Sequence, residues 1–523
     1  MSPRNQRTVS PCTGGQIVWR QSTCTGLHLL HSAIAVGASF DSAERQPCSR
    51  CHPQTRQIVF EIILSWTKNV LRGPRMLWIH GDAGSGKTAI AQSVAEFCAE
   101  SGQLGATFFF AHGMGDLADA RFLVATLAYK LARSNPALRT HISRAIERTA
   151  SILSQPIQAQ AMHLIVEPYK MINSGEETTP KVVVIDALDA CERDDAQLQV
   201  LMLIAELLAV HRLPLCFLIT SRSSTHLEAA FDLPVFRGMA NRIPLQLFSS
   251  ESDIRTFLWA GISEITSTRA PGTIPESWPS VDAVNVLVRK SDRHFLYPST
   301  VLRYVADPRG DPVQRLVGVV IAAADDAPRP PLDQLYHHIL SAAPESARHV
   351  LGLLSVLRAS FSLAELQILL GLEIPHNGGL DGLSAFIECP GAAGASRVRI
   401  LQQAAVEFLH DRRRSQPFWT DPRVYHARVA AGCIRFITRN LDECAPVDLT
   451  TYQYIRRRWT EHLSNSVPTA ELLGALGDAR FAYSRVLSEV RAVVSWLDVD
   501  PEIAPELLSL WRAWQTDLRR GFT

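Results

Sequence analysis

The sequence lacks an excess of charge of either sign. Its 523 residues carry 52 lysines and arginines against 51 aspartates and glutamates, which gives a net charge of +1. A chain this balanced has no overall field that would draw it to nucleic acid or to an anionic membrane. Nucleic acid is therefore not an expected partner, and the short basic runs at 412–414 and 456–458 are interpreted as solvated faces.

Long uninterrupted apolar runs are also missing. The longest apolar stretch, residues 200–220, is broken by Glu206, His211, Arg212 and Pro214, so it fits a helix followed by a strand rather than a membrane span. The amino-terminal residues have no apolar h-region, and neither end carries a lipidation signal. We expect a cytoplasmic protein without a membrane partner.

Cysteine spacing gives no support for haem or zinc. Several of the ten cysteines lie in apolar segments, which suits a reducing compartment: Cys98, Cys191, Cys216 and Cys433. The string from Cys48 to His52 matches the c-type haem attachment pattern, but no export signal accompanies it. A zinc site from Cys12, Cys24, Cys48 and Cys51 would have wide, irregular gaps between its ligands.

A glycine-rich loop follows an apolar strand candidate at 76–79 and precedes a helix-compatible pattern. The spacing G-x-x-x-x-G-K-T predicts a P-loop rather than a surface turn. Its nucleotide-binding candidates are Gly81, Asp82, Ala83, Gly84, Ser85, Gly86, Lys87, Thr88 and Ala89. Glycines let backbone N–H groups surround a phosphate, Lys87 neutralises the β- and γ-phosphates, and Thr88 offers its hydroxyl to Mg²⁺. The helix that follows adds the positive end of its dipole.

Two later strand candidates end in polar residues. The β-branched run 182–185 leads into Asp186, the arrangement of a Walker B motif whose carboxylate holds Mg²⁺ through water. The apolar run from 213 ends at Arg222, a candidate for reading the γ-phosphate because a guanidinium grips phosphate oxygens in a fork. A solvated arginine just past a strand is the alternative for Arg222.

The order of these patterns predicts an α/β fold. Strand candidates near residues 76, 106, 182, 215 and 242 alternate with helices, as in a P-loop NTPase with a parallel sheet covered by helices on both faces. Beyond residue 250 the patterns become helical, with a short hairpin pattern that suits a winged helix. We expect these domains: a poorly ordered lead-in at 1–45, a nucleotide-binding domain at 46–245, a helical lid at 246–326, a winged-helix-like subdomain at 332–420 and an all-helical region at 421–523.

With these motifs, the chain resembles the NACHT-domain NTPases of fungi, a STAND-class branch related to NLR receptors that includes nephrocystin-3-like regions. The segments LWIHGDAGSGKTAIAQSVAEFC, VVVIDALDACE and FLITSR carry the resemblance, which extends over about residues 35–500. It implies a signalling switch: ADP holds a closed form, and ATP, or GTP in some relatives, opens it to form a homo-oligomer and recruit a protein effector. The N-terminal effector domain and C-terminal repeats usual in that family are not expected within these residues.

Three positions depart from the family pattern and leave hydrolysis open. Relatives read DALDEC where this chain reads DALDAC, so Ala190 replaces an acid expected to polarise water, while Asp189 remains as a catalytic candidate beside Asp186. Gln402 replaces a histidine that contacts the β-phosphate of ADP, and a glutamine amide donates to phosphate without carrying charge. The third departure is His112, in place of an arginine, and Pro298 of the lid completes the nucleotide-binding candidates.

The resemblance therefore favours a slow NTPase that works as a nucleotide switch. A degenerate interaction scaffold that keeps the NACHT fold but does not hydrolyse nucleotide is the alternative.

Overall fold

The computed structural model describes residues 25–46, 48–69, 73–172, 180–270, 272–324, 329–357, 359–371, 380, 382–388, 397–439, 447, 449–479 and 487–520. Its main sheet has five strands: β1 (Met76–His80), β2 (Leu104–Phe109), β3 (Lys181–Asp186), β4 (Leu215–Ser221) and β5 (Ala240–Pro244). They lie in the order β2-β3-β4-β1-β5, and all neighbours are parallel. The predicted parallel sheet is confirmed.

Both faces of this sheet are covered, which explains why its central strands are apolar along their whole length. Successive side chains of a strand point to opposite faces. Met76 and Trp78 of β1 accordingly belong to one hydrophobic cluster, whereas Leu77 and Ile79 belong to another. The helices that precede, connect and follow these strands are α1 (Thr25–His31), α2 (Gln57–Asn69), α3 (Lys87–Glu100), α4 (Leu123–Ser134), α5 (Pro136–Arg148), α6 (Ile157–Ala161), α7 (Glu167–Ile172), α8 (Asp194–Ala209) and α9 (Thr225–Asp232).

After β5 the chain is mainly helical, as the sequence predicts. Its helices are α10 (Glu251–Thr268), α11 (Val281–Lys290), α12 (Leu296–Ala306), α13 (Pro312–Ala324), α14 (Pro331–Ala342), α15 (Glu345–Val356), α16 (Leu363–Leu370), α17 (Gln403–His410), α18 (Arg412–Ser415), α19 (Pro422–Arg439), α20 (Leu449–Ser464), α21 (Ala470–Asp478), α22 (Leu487–Leu497) and α23 (Pro505–Arg520). A small antiparallel sheet lies among them, in the order β6-β8-β7: β6 (Phe361–Ser362), β7 (Ile387–Glu388) and β8 (Arg397–Ile400). One hydrophobic cluster, from Ile254 to Trp511, joins these elements.

The poorly ordered lead-in predicted at 1–45 is wrong for its second half. Residues 1–24 lie outside the described residues, but residues 25–45 are folded against the helices that cover the main sheet. Helix α1 packs on α4 and α5, and Leu30 is fully buried. These apolar residues are buried against parts of the chain that are distant in sequence. Their spacing therefore shows no local hydrophobic periodicity that would predict a folded segment.

In the described part of the chain, none of the helices combines the length and apolar character that a bilayer-spanning helix needs. Of the four cysteines considered as zinc ligands, Cys12 and Cys24 lie outside the described residues. Cys48 and Cys51 are free thiols.

Candidate functional site

The predicted P-loop lies between the end of β1 and the start of α3. Gly84 and Gly86 have φ angles of +79° and +92°, a left-handed backbone region in which a side chain would be strained. Gly86 is the residue immediately before the first turn of α3, which begins at Lys87. The glycines of the motif therefore stand where the loop needs them in order to turn back into a helix.

Lys87 is held by the loop itself. Its Nζ donates to the backbone carbonyls of Gly81 and Asp82, each at 2.7 Å, and to Ser85 Oγ at 3.3 Å. Burial lowers the pKa of Lys87 to about 8, although the carboxylates of Asp189 and Asp186 partly oppose that shift. The ammonium is therefore poorly solvated and positioned at the centre of the loop.

Asp186, the last residue of β3, is the buried acid of the site. Thr220 Oγ1 donates to its Oδ1 at 2.6 Å, and the side chain of Thr88 also forms a hydrogen bond with it. Burial raises the pKa of Asp186 despite these bonds. A carboxylate joined to the P-loop hydroxyl supplies the oxygen donors that Mg²⁺ prefers.

Asp189 is three residues further on and connects three groups. Its Oδ1 accepts a hydrogen bond from the backbone N–H of Arg222 at 2.9 Å, and its Oδ2 lies 3.4 Å from Arg222 Nε and 3.6 Å from His112 Nε2. Burial raises the pKa of Asp189, but the nearby His112 imidazole and the hydrogen bond from the Arg222 backbone outweigh that effect, so the pKa is lowered overall. Ala190 beside it is buried and offers no second acid.

The other end of Arg222 reaches a different part of the chain. Its Nη1 lies 2.9 Å from Glu407 Oε1 on α17, and about a third of each side chain is exposed. Arg222 thus lies at the predicted site, where it pairs with Asp189 and Glu407.

Helix α12 packs against the P-loop. The backbone N–H of Phe295, the residue before α12, donates to the carbonyl of Gly84 at 3.0 Å. A Cβ atom on Gly84 would lie only 2.4 Å from Leu296 Cβ, so the loop and the helix are in close contact. Pro298 is buried in the first turn of α12 and does not line the cavity described below, although Leu296 and Ser299 do.

Gln402 occupies the predicted position immediately before α17. Its Oε1 accepts a hydrogen bond from the Tyr336 hydroxyl at 2.9 Å, and its Nε2 donates to Thr300 Oγ1 at 2.9 Å. These bonds join α17 to α12 and α14 at the wall of the cavity.

The sequence analysis missed two arginines that precede the P-loop. Arg56, in the left-handed region at φ 58°, is buried and donates to the carbonyls of Ser85 at 2.8 Å and Phe248 at 3.0 Å. Arg45 lies over the ring of Phe109, 3.7 Å from its centroid. Since their partners are distant in sequence, no local pattern identifies either residue.

All these groups surround one cavity of about 1080 Å³. Of the predicted site residues, these line it: Ala83, Gly84, Gly86, Lys87, Thr88, Ala89, Asp189, Arg222 and Gln402. Gly81, Asp82, Ser85 and Asp186 are not part of the lining. The basic residues of the lining, apart from histidines, are Arg45, Arg50, Arg56, Lys87, Arg222, Arg303 and Arg399, against the acids Glu44 and Asp189. The cavity is therefore strongly cationic, in a chain whose net charge is only +1.

The fold and the motif placement define a class of protein. A parallel sheet in the order β2-β3-β4-β1-β5, with a P-loop after β1 and an acid at the end of the buried strand β3, which β4 separates from β1, is an α/β P-loop NTPase fold.

Comparisons with known proteins support the narrower resemblance. Residues 57–222 match the family described as nephrocystin 3, N-terminal. The chain is 25% identical over 343 residues to the vegetative incompatibility protein HET-E-1 of Podospora anserina, covering 64% of this chain but only 24% of that protein. The predicted resemblance to fungal NACHT-type STAND NTPases is confirmed.

Two solved structures are similar at low identity. One is a STAND protein with a tetratricopeptide-repeat sensor from Pyrococcus horikoshii, with TM-score 0.41 and 10% identity over 88% of this chain and 64% of that one. The other is the ORC1 protein of Aeropyrum pernix in complex with DNA, with TM-score 0.32 and 15% identity over 70% and 92% of the two chains.

Proposed function

We propose that the protein is a nucleotide-binding switch of the STAND type that binds ADP and ATP, with GTP as the alternative nucleotide, together with Mg²⁺. The single observation that carries this proposal is the cationic cavity whose floor is the P-loop and whose roof is formed by α12 and α17. Few ligands other than a polyphosphate match such a concentration of arginine and lysine at a helix N-terminus.

The residues fit that ligand in kind. The loop from Gly81 to Thr88 supplies backbone N–H groups, and the Lys87 ammonium supplies a charge that must leave its carbonyl partners to meet a phosphate. Thr88 and Asp186 would hold Mg²⁺, which neutralises charge on the phosphate oxygens.

The switch itself is proposed to work through the roof of the cavity. Arg222 pairs with Glu407, and a γ-phosphate would compete for the same guanidinium. Moving a two-state equilibrium from 1:99 to 99:1 requires about 5.5 kcal/mol of differential affinity, whereas one charged hydrogen bond contributes about 1.5–3 kcal/mol. We therefore assign the closed form to several contacts acting together, including Phe295 on Gly84 and Gln402 on Thr300.

We also propose the domain division expected from the sequence, apart from the lead-in at 1–45. The main sheet ends at Pro244, the lid helices run from Glu251 to Ala324, and the small sheet β6-β8-β7 falls within the segment 332–420 that we interpret as a winged helix. Because HET-E-1 is named as a vegetative incompatibility protein, a role in fungal non-self recognition, with homo-oligomerisation and a protein effector, forms part of this proposal.

Calorimetric titration with ADP and ATP, with and without Mg²⁺, tests the proposal. Wild type should bind both, Lys87→Ala should lose binding, and Lys170→Ala, an exposed lysine on α7, should bind like the wild type. Equal binding by wild type and Lys87→Ala would refute the switch.

A second candidate is the non-hydrolysing scaffold, which the absence of an acid at the buried Ala190 position favours. Thermal unfolding separates the two. A nucleotide at one hundred times its dissociation constant adds about 2.7 kcal/mol to the unfolding free energy. An unchanged melting temperature with saturating ADP and ATP would support the scaffold.

A further inference from the structure

Two arginines outside the P-loop line the same cavity without a counter-charge in contact. Arg303 of α12 is largely buried, and its guanidinium forms no hydrogen bond or ion pair with any residue that the structure describes. Arg45 bonds only weakly, through Nη2 to Gln92 Oε1 at 3.3 Å, and its Nε is buried without an acceptor among the described residues.

A third arginine, Arg399 of β8, adds to the positive field. Its own bonds are to Glu388 Oε2 at 2.9 Å and to the carbonyls of Glu44 at 2.7 Å and Arg45 at 3.2 Å. Burial lowers the pKa values of both Arg45 and Arg303, and repulsion from Arg399 adds to that shift. The carboxylates of Asp186 and Glu388 partly oppose these shifts for Arg45 and Arg303 respectively, although neither forms an ion pair with that arginine among the described residues.

This arrangement is costly unless an anion completes it. A guanidinium removed from water without a paired charge destabilises the fold, and like charges nearby increase that cost. The cost is recovered where the guanidinium binds a ligand, and phosphate is the anion whose oxygens match its fork of N–H donors. The arginines also come from three parts of the chain: the segment before α2, the lid helix α12 and the small sheet.

We propose that Arg45 and Arg303, in the field of Arg399, form a second phosphate-binding subsite beside the P-loop. A phosphate group of a small phosphorylated molecule binds there, neutralises Arg45 and Arg303 and draws the three segments together. The phosphate has two sources: a separate small polyphosphate, or the terminal phosphate of a nucleotide held at the P-loop. Only the second source rests on the proposed function.

The test uses inorganic tripolyphosphate, ADP and ATP as probes in calorimetric titrations of the full chain. Arg303→Gln should weaken the binding of tripolyphosphate, of ATP, or of both by at least about tenfold, since a charge-assisted hydrogen bond is lost. Arg303→Lys should retain part of the affinity, and Arg289→Gln, an exposed arginine on α11, should behave like the wild type. Without ligand, Arg303→Gln should melt no lower than the wild type, because the arginine it removes has no partner.

Lys87→Ala distinguishes the two sources. If that variant still binds tripolyphosphate, and ADP-saturated wild type binds it as well, the subsite takes a separate molecule. If Lys87→Ala loses tripolyphosphate and Arg303→Gln weakens ATP more than ADP, the phosphate belongs to the nucleotide. Unchanged binding of all three probes by Arg303→Gln overturns the proposal. It is also overturned if Arg303→Gln weakens ADP and ATP equally while Lys87→Ala does not bind tripolyphosphate. The switch fails by a different result, namely normal ADP binding by Lys87→Ala.

Discussion

Arg222 joins Asp189 to Glu407, and through that pair of contacts the main sheet is connected to helix α17. The Nη1–Oε1 distance to Glu407 is 2.9 Å, and the Nε–Oδ2 distance to Asp189 is 3.4 Å. One guanidinium therefore contacts both Asp189, which follows β3, and Glu407 on α17.

Removing the Glu407 carboxylate should change the preference between ATP and ADP more than it changes the stability of the fold. Because the Arg222–Glu407 pair is partly exposed, Glu407→Gln should cost less than about 1 kcal/mol of unfolding free energy. The freed guanidinium should favour a third phosphate, so the ratio of ATP to ADP affinity should rise several-fold in calorimetric titrations. Glu502→Gln, an exposed acid near the carboxyl end, is the matched control. An unchanged ratio would show that Glu407 does not restrain Arg222.

Two glycines with similar backbones separate strain from steric contact. Gly84 has φ +79° and would place a Cβ 2.4 Å from Leu296 Cβ, whereas Gly238 has φ +74° with nothing within 4 Å. Alanine at either position should cost about 1 kcal/mol through the left-handed backbone. Gly84→Ala should lose roughly a further 1–3 kcal/mol of unfolding free energy, which is the cost of overpacking. This variant should also lose its affinity for nucleotide. Equal melting temperatures for the two variants would contradict the contact between P-loop and lid.

The protonation of Lys87 should appear in both stability and binding. Its pKa is about 8 in the folded protein against 10.5 ordinarily, so between these values the unfolded chain binds more protons and stability rises with pH. Lys87→Met should therefore be more stable than the wild type at pH 7, and the difference should narrow from about pH 8 to pH 10.5. The ADP affinity of the wild type should fall above pH 8 as the ammonium loses its proton. The exposed Lys170→Met is the control, and a pH-independent difference would show that Lys87 is not desolvated.

Asp186→Asn should separate metal binding from folding. Burial raises the pKa of this carboxyl, so a neutral isostere should leave the melting temperature unchanged or slightly higher. Mg²⁺, in contrast, prefers a carboxylate, so ADP affinity measured with Mg²⁺ should fall to the value measured in EDTA. If Mg²⁺ still strengthens ADP binding in Asp186→Asn, the metal lies elsewhere.

The sheet and its loop were accessible from sequence because their signals are local. A β-branched run before Asp186 and a glycine pattern after β1 each fit within about ten residues, and the structure shows the expected elements at both places. The contact of Thr88 with Asp186 followed because Thr88 opens the helix after β1 while Asp186 ends β3, and parallel strands end at the same edge of the sheet.

The contacts that close the cavity were not accessible in that way. Arg222 and Glu407 are 185 residues apart, and Arg399 reaches carbonyls more than 350 residues earlier in the chain. No periodicity spans such separations, so the sequence identified Arg222 but not its partner. The order at 25–45 was missed for the same reason.

The position of Arg56 sets a practical limit on how the protein is divided. Its guanidinium and backbone connect Ser85, Phe248 and Asp253, yet it lies one residue before the segment 57–222 that matches the known family. A fragment trimmed to that match would lack Arg56 and its hydrogen bonds to the P-loop, together with Arg45 and helix α1. Recombinant fragments should therefore begin upstream of Thr25, since a shorter start would report on a weakened pocket rather than on the native one.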